Sequence, residues 1–167
     1  MTKPDELVQI AAKVGEILLD RGWRLAAVES CTGGWIAKTV TSLSGSSDWF
    51  ECGLVTYSNA SKESLVGVPG AMISRHGAVS AEVAEAMVSG ALERTGASAA
   101  VSVTGIAGPG GGSDEKPVGT VYLVWQFPGI ETVSERFHFH GNRDEVRRQS
   151  VATALSELAR LIQAASA

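Results

Sequence analysis

The stretch Ala97-Ser-Ala-Ala-Val-Ser-Val-Thr-Gly-Ile-Ala-Gly-Pro-Gly-Gly-Gly-Ser113 joins a small, apolar run to a loop with five glycines in eight positions. The run over residues 97–103 predicts a buried strand. Glycine tolerates positive φ and lets neighbouring N–H groups converge on an anion, so residues 104–113, here called the glycine loop, are a candidate site for phosphate or carboxylate oxygens. A flexible surface linker is the alternative for any glycine-rich loop.

Working outward, helices and strands alternate through the first two thirds of the chain. Helices are predicted over residues 5–21, 34–43 and 81–94, and from a cap formed by Asn142 and Glu145 onward. Strands are predicted over residues 24–28, 54–57, 97–103, 120–127 and 132–139, the last two as a hairpin. This order favours a single α/β domain over residues 1–167, an α/β/α sandwich with a mixed β-sheet and helices on both faces.

Composition narrows the functional classes. Hydrophobic residues make up 44% of the 167 residues, which supports a packed core, and the net charge of −4 argues against a protein that wraps nucleic acid. Cys31 and Cys52 are expected to be free thiols, and His and Cys are too few at ligand spacing to predict a metal. Residues 1–6 hold no apolar signal core and no stretch approaches the ~20 apolar residues of a membrane span, so we expect a cytoplasmic protein without a membrane partner.

Two arginines point to an anion. Arg143 and Arg147 share one face of the predicted last helix near its start, where they oppose the positive end of the helix dipole. A phosphate between this helix and the glycine loop would offset that repulsion, whereas ion pairs with Asp144 and Glu145 are the alternative. The glycine loop lacks both the dinucleotide fingerprint and the P-loop lysine, so ATP or NAD is not expected as a cofactor.

Hydroxyl-rich segments supply candidate nucleophiles. These candidates are Ser30, Cys31, Ser46, Ser47 and Ser113, and the candidate bases are Lys38, Lys62 and Lys116. The three histidines read as surface or packing residues, so a lysine with a pKa lowered by burial is the expected activator. Because Ser47 precedes and Lys62 follows one predicted strand, a short excursion of the chain is expected to bring Ser47, Tyr57 and Lys62 to one sheet edge.

Several motifs together carry a family resemblance. They are Glu29-Ser-Cys-Thr-Gly-Gly34, Gly45-Ser-Ser-Asp-Trp-Phe50, Val55-Thr-Tyr-Ser-Asn59 with Lys62, His76-Gly-Ala-Val-Ser80, Thr104-Gly-Ile-Ala-Gly-Pro109, Lys116-Pro-Val-Gly119 and Gly141-Asn-Arg143. In this order they resemble the carboxy-terminal domain family of the competence/damage-inducible protein CinA. The resemblance runs from about residue 5 to residue 163.

The resemblance implies an enzyme of pyridine nucleotide recycling. Members of the family hydrolyse the carboxamide of nicotinamide mononucleotide (NMN) to nicotinate mononucleotide and ammonia without a cofactor, and a homodimer is expected. The family's serine and lysine carry over to Ser47 and Lys62, with Tyr57 beside them, and Ser46 and Ser30 stay open as the nucleophile. The expected substrate-binding residues are Ser30, Thr32, Gly33, Ser46, Thr104, Gly105, Gly108, Arg143 and Arg147.

Two other functions fit the same residues. One is a non-catalytic module that binds a nucleotide or a partner in competence or the DNA damage response, which needs Arg143 and the glycine loop but not Lys62. The other is an amidohydrolase that uses the same serine and lysine on a different amide.

Overall fold

A computed structural model describes residues 5–166. Residues 1–4 and residue 167 lie outside the described residues. The expectation that residues 1–6 hold no apolar signal core therefore falls mostly outside the described part of the chain. The helices are α1 (Glu6–Arg21), α2 (Trp35–Thr41), α3 (Asn59–Val66), α4 (Gly70–His76), α5 (Ala81–Thr95) and α6 (Arg143–Ala165). The strands are β1 (Leu25–Glu29), β2 (Phe50–Val55), β3 (Ala99–Gly105), β4 (Thr120–Gln126) and β5 (Val133–His138).

The strands form one mixed sheet in the order β2-β1-β3-β4-β5. β1 runs parallel to β2 and β3, while β4 is antiparallel to both β3 and β5. The predicted fold class is therefore confirmed, including the hairpin. Among the described helices, none is both long and apolar enough to cross a bilayer.

Helices cover both faces of the sheet. Because successive strand residues point to opposite sides, Ala27 and Val101 pack with α1, α2 and α6, whereas Val28 and Ala100 pack with α3, α4 and α5. β1 is buried along its whole length, which explains why its sequence shows no alternation of polar and apolar residues.

The predicted helix caps are confirmed. α1 ends at Gly22, which has φ 63°, and the Ser80 hydroxyl accepts a hydrogen bond from the N–H of Val83 at the start of α5. At the start of α6, Asn142 and Glu145 form a capping box.

Two helices and part of a strand were not predicted. β2 begins at Phe50 rather than at residue 54, and α3 and α4 lie where no helix was expected. In α3 the buried side chains are Lys62 and Val66 alone, so the segment carries no apolar stripe by which its helical period could be recognised.

The topology brings several chain segments to one edge of the sheet. β1 and β3 are parallel neighbours, with Glu29 opposite Val103, so Ser30 and the glycine loop both follow from the same end. The N–H of Thr56 donates to the Glu29 carbonyl at 2.8 Å, which brings the connection between β2 and α3 to this end as well. We call it the carboxyl edge of the sheet, which is where open α/β sheets bind ligands.

Candidate active site

A cavity of about 290 Å³ opens at the carboxyl edge and is called the main cavity. Its walls come from the turn after β1, the start of α3, the segment before α5, the glycine loop and the start of α6. The side chains with chemical potential in it are those of Ser30, Tyr57, Lys62, Thr104 and Arg143. Its volume is at the small end of the range for ligand sites, about 300–1,000 Å³.

Ser30 and Lys62 are in direct contact. Lys62 Nζ donates to Ser30 Oγ at 3.0 Å and also to the carbonyl oxygens of Thr56, at 2.7 Å, and Tyr57, at 3.3 Å. The lysine is only 1% exposed, and this burial lowers its pKa from the ordinary value of 10.5. None of the hydrogen bonds found for Lys62 within residues 5–166 goes to a carboxylate.

The two carbonyl groups determine where the lone pair of a neutral Lys62 amine would point. A neutral amine keeps two N–H donors and gains one lone pair. With both donors occupied by Thr56 O and Tyr57 O, the lone pair faces the remaining neighbour, the hydroxyl of Ser30. This is the arrangement that a serine nucleophile needs from a lysine base.

The predicted convergence of Ser47 with Lys62 is wrong. Arg24 Nη1 donates to the Ser47 carbonyl at 3.1 Å, and the N–H of Leu25 donates to the carbonyl of Trp49 at 2.8 Å, so Ser47 lies at the start of β1. Ser30 lies at its other end, and at about 3.3 Å per residue the strand separates the two serines by roughly 20 Å.

The reason is the direction of β2. Ser46 and Ser47 precede β2 and Lys62 comes after it, and the two ends of a strand lie at opposite edges of the sheet. Ser46 is therefore as far from the main cavity as Ser47, and neither it nor Ser47 lines that cavity. Within the described chain, Ser30 is the hydroxyl that meets Lys62.

Arg143 and the glycine loop do meet, in agreement with the prediction. Arg143 Nη1 donates to the carbonyl of Gly108 at 2.8 Å, and Nη2 donates to the Tyr57 hydroxyl oxygen at 3.1 Å. The Tyr57 side chain is 59% exposed, so this link lies at the mouth of the main cavity. The guanidinium thus forms one side of the entrance to the main cavity.

The glycine loop contributes backbone donors. Within residues 5–166, no hydrogen-bond acceptor is found for the N–H groups of Ala107, Gly108, Gly110 and Gly111, all of which line the main cavity. Free N–H groups beside an arginine are suited to an anion such as phosphate.

Two glycines of the glycine loop and its first residue, Thr104, have structural roles. A Cβ on Gly105 would lie 2.9 Å from the Thr120 carbonyl oxygen, and one on Gly108 would lie 2.4 Å from a methyl of Val118. Thr104 donates through Oγ1 to the Ala78 carbonyl at 2.9 Å, which ties the loop to the segment before α5.

Arg147 is not in the main cavity. It lines a second cavity of about 310 Å³ together with Trp35 and Lys38, on the other side of the turn after β1. Its Nε and Nη2 donate to the carbonyls of Cys31 and Thr32, each at 3.1 Å. Of the two arginines predicted as substrate-binding residues, Arg143 lines the main cavity, whereas Arg147 does not because its side chain turns to the second cavity.

The turn after β1 is tightly packed. Burial raises the pKa of the Cys31 thiol to about 12, so this thiol is not a candidate nucleophile at neutral pH. Thr32 is fully buried, and Gly33 has φ 58°, so both shape the turn instead of lining the main cavity.

Glu29 is an important residue that sequence reasoning missed. Its fully buried carboxylate accepts hydrogen bonds from the N–H groups of Ile36, at 3.0 Å, and Ala37, at 2.9 Å, and from the Thr32 hydroxyl at 2.6 Å. A negative charge at the start of α2 is stabilised by the helix dipole. Glu29 is seven residues before Ile36, and this spacing matches no local capping pattern. Its position next to Ser30 was therefore the one sequence feature that could have drawn attention to Glu29.

Lys116, a candidate base from the sequence, has a structural role in the wall of the main cavity. Its Nζ donates to the carbonyls of His76, at 3.2 Å, and Val79, at 2.6 Å, and thereby holds one wall of the main cavity. The described residues contain no group of three or more His, Cys, Asp or Glu side chains placed to hold a metal ion.

Comparison with known proteins places this geometry in a family context. The family model described as the CinA C-terminal domain matches residues 7–162. The nicotinamide-nucleotide amidohydrolase PncC of Escherichia coli K12 is 50% identical over 153 residues, which cover 92% of this chain and 93% of that protein. The protein of the same name from Pseudomonas putida is 50% identical over 157 residues, 94% of this chain and 98% of that one. The crystal structure of the competence/damage inducible protein CihA from Agrobacterium tumefaciens aligns with a TM-score of 0.90 at 37% identity and covers 100% of both chains.

Proposed function

The chain belongs to the CinA C-terminal domain family, and from this premise we propose that it is a nicotinamide-nucleotide amidohydrolase in which Ser30 is the nucleophile and Lys62 its base. The reaction converts NMN and water to nicotinate mononucleotide and ammonia. The observation that carries the assignment is the 3.0 Å contact between Lys62 Nζ and Ser30 Oγ inside the main cavity.

The first half of the reaction forms an acyl-enzyme. Ser30 Oγ attacks the carboxamide carbon while Lys62 Nζ accepts the hydroxyl proton, which gives a tetrahedral intermediate. Lys62 then transfers that proton to the amide nitrogen, the C–N bond breaks, and ammonia leaves. The nicotinoyl group of the nucleotide is left as an ester on Ser30.

Water completes the cycle through the same two residues. Lys62 takes a proton from the water that attacks the ester, and the second tetrahedral intermediate collapses with return of that proton to Ser30 Oγ. Nicotinate mononucleotide is released, and no cofactor enters any step. The amide oxygen becomes negative in both intermediates, and the backbone N–H of Cys31, which lines the main cavity directly after the nucleophile, is the nearest donor in sequence.

The rest of the substrate fits the other side of the main cavity. Arg143 and the free N–H groups of the glycine loop form a cationic, donor-rich wall suited to the phosphate of NMN. Tyr57 lies beside Arg143 at the mouth and is proposed to orient the nucleotide there. Thr104 supports this wall through its bond to Ala78.

The expected setting of the enzyme is the cytoplasm. Its two cysteines, Cys31 and Cys52, are free, which is usual where thiols are kept reduced. The homodimer stays a prediction, which the mass of the purified protein measured by light scattering would test.

A matched pair of serine variants tests the assignment. Ammonia and nicotinate mononucleotide are measured from NMN with the wild-type protein, Ser30→Ala and Ser47→Ala. We expect Ser30→Ala to lower kcat by a factor of about 10³ or more, because the ester cannot form. Ser47→Ala is expected to stay within about twofold of wild type, because its hydroxyl lies roughly 20 Å from Ser30. The reverse pattern would restore Ser47 as the nucleophile, and a wild-type protein that releases no ammonia would refute the function.

A further inference from the structure

We propose that the second cavity is a binding site for a phosphate group, which Lys38 and Arg147 hold together. The ligand is inorganic phosphate or a small phosphate ester. The hydrolysis of NMN in the main cavity does not require this site, so the proposal goes beyond the proposed function and is tested independently of it.

Two cationic side chains line the second cavity around one aromatic ring. Lys38 Nζ lies 5.9 Å and Arg147 Cζ lies 5.5 Å from the centre of the Trp35 ring. Within residues 5–166, neither cation forms an ion pair with a carboxylate. Two like charges around one ring repel each other, and an anion bound between them would replace this repulsion by attraction.

The carboxylates near the cavity do not neutralise these charges. Asp144 is the one acidic residue among the described residues that line it, and its side chain is exposed. Asp5 pairs with Arg148 at 2.9 Å, and the pKa of its carboxyl is lowered mainly by that hydrogen bond and least by the charge of Lys38. Glu29 is fully buried and stabilises the start of α2. The lining therefore keeps a net positive charge in a protein with a net charge of −4.

The Arg147 guanidinium is held in place before any ligand binds. Nε and Nη2 donate to the carbonyls of Cys31 and Thr32, whereas Nη1 has no acceptor in the described part of the chain. Because the side chain is already ordered, a ligand that accepts from Nη1 binds with a small loss of side-chain entropy. Gly33 and Gly34 also line the cavity and add no side chain that would obstruct it.

The arrangement of donors favours phosphate over a carboxylate. The oxygens of a tetrahedral phosphate point in several directions, so different oxygens can contact the Lys38 ammonium and the Arg147 guanidinium, and its charge exceeds that of a carboxylate. The cavity has about 310 Å³, which is within the range of sites for small organic ligands, about 300–1,000 Å³. A bound phosphate therefore leaves room for the rest of a small ester.

The second cavity is distinct from the main cavity. Among the described residues, no residue lines both, and Ser30 and Cys31 line one while Thr32 and Gly33 line the other. The turn after β1 thus separates the two cavities. A phosphate in the second cavity is expected to leave the main cavity open to NMN.

The test is a titration of the ¹⁵N-labelled protein with inorganic phosphate, followed by the backbone amide resonances in NMR spectra. Sodium chloride keeps the ionic strength constant. Gly33 and Gly34 report on the second cavity, whereas Gly108 and Gly111 report on the main cavity. We expect saturable shifts of the Gly33 and Gly34 resonances at millimolar phosphate. Absence of these shifts would overturn the proposal.

A matched pair of lysine variants tests whether the second cavity is the place of binding. Lys38→Met is expected to weaken phosphate binding at Gly33 and Gly34 at least about tenfold, because one charge-assisted hydrogen bond is lost. Lys13→Met removes the same charge from an exposed position on α1 that lines neither cavity, and it should bind as the wild type does. Equal affinity in Lys38→Met and Lys13→Met would overturn the proposal.

Arginine variants separate the two cavities. Arg147→Met is expected to weaken the response of Gly33 and Gly34, whereas Arg143→Met is expected to leave that response unchanged. Loss of the response in Arg143→Met would overturn the proposal, because the shifts would then come from the main cavity. Lys38 makes no hydrogen bond within residues 5–166, so Lys38→Met keeps the test decisive if Arg147→Met does not fold.

Three anions identify the ligand class. Ribose 5-phosphate that binds more tightly than inorganic phosphate would support a phosphate ester as the ligand, and equal or weaker binding would support free phosphate. Acetate that shifts Gly33 and Gly34 as strongly as phosphate does would overturn the assignment to phosphate. The resonances are measured without turnover, so a protein that releases no ammonia from NMN would refute the proposed function and leave this test unaffected.

Discussion

The pH dependence of the reaction follows from the burial of Lys62. Only the neutral amine can accept the proton of Ser30, and an ordinary lysine with a pKa of 10.5 is neutral in about 3 of 10,000 molecules at pH 7. Burial lowers the pKa of Lys62, and each unit of lowering raises the neutral fraction about tenfold. We therefore expect kcat/KM to rise about tenfold per pH unit and to level off at a pH below 10.5.

Protein stability should show the same titration with a defined sign. A folded-state pKa below the unfolded value means that burial disfavours the ammonium, so Lys62 reduces the free energy of unfolding at any pH below its folded-state pKa. This reduction disappears as the pH rises from the folded-state pKa to 10.5, at about 1.4 kcal/mol per unit of difference between the two pKa values. Urea unfolding of wild type and Lys62→Met across this range should show the wild type gaining stability relative to the variant.

Lys62→Arg is the decisive variant for this reasoning. Arginine keeps a positive charge and hydrogen-bond donors but is not deprotonated in proteins, so it cannot serve as the base. Both Lys62→Arg and Lys62→Met are expected to lower kcat by a factor of about 10²–10⁴, measured as ammonia release. A kcat/KM that levels off only above pH 10.5, or an active Lys62→Arg, would refute the assignment of Lys62 as the base.

Three further predictions concern the support of the site. Glu29→Ala leaves three buried donors without their acceptor, so we expect it to lower the free energy of unfolding by about 3 kcal/mol in urea titrations, and an unchanged midpoint would contradict the capping role of this carboxylate. Arg143→Met should raise the KM for NMN about tenfold to a hundredfold with a smaller effect on kcat, and a pure loss of kcat would remove Arg143 from phosphate binding. Gly90→Ala would set a Cβ 1.7 Å from the Val66 carbonyl oxygen, so its thermal unfolding temperature should fall clearly, whereas Gly110→Ala, with nothing within 4 Å, should unfold near the wild-type temperature.

Local patterns predicted much of the fold. The caps at Gly22, Ser80 and Asn142 and the apolar stripes of α1, α5 and α6 depend on residues close in sequence, and the structure confirms them. α3 was missed because its buried face consists of Lys62 and Val66, and a buried lysine reads as a polar surface residue in any pattern.

The site was predicted in part. The contact between Arg143 and the glycine loop could be predicted from two features visible in the sequence. These are the arginines at the start of the last helix and the glycine-rich segment with its backbone N–H groups. The choice of Ser47 failed because nearness in sequence to β2 does not tell which edge of the sheet a residue occupies. Strand direction decides that, and β2 carries Ser47 and Lys62 to opposite edges.

The sequence by itself determined the α/β class, the family, the glycine loop and the choice of Lys62 as the proposed base, because each depends on local residue patterns or on several motifs in order. Only the tertiary structure decided that Ser30 is the serine beside Lys62, that Arg147 bonds the turn after β1 and that Glu29 stabilises α2. These contacts join residues between 3 and 116 positions apart, and the longer ones arise from the parallel pairing of β1 with β2 and β3 and from the packing of α6 against the turn. No local pattern encodes that pairing, since it depends on how the whole chain buries both faces of one sheet.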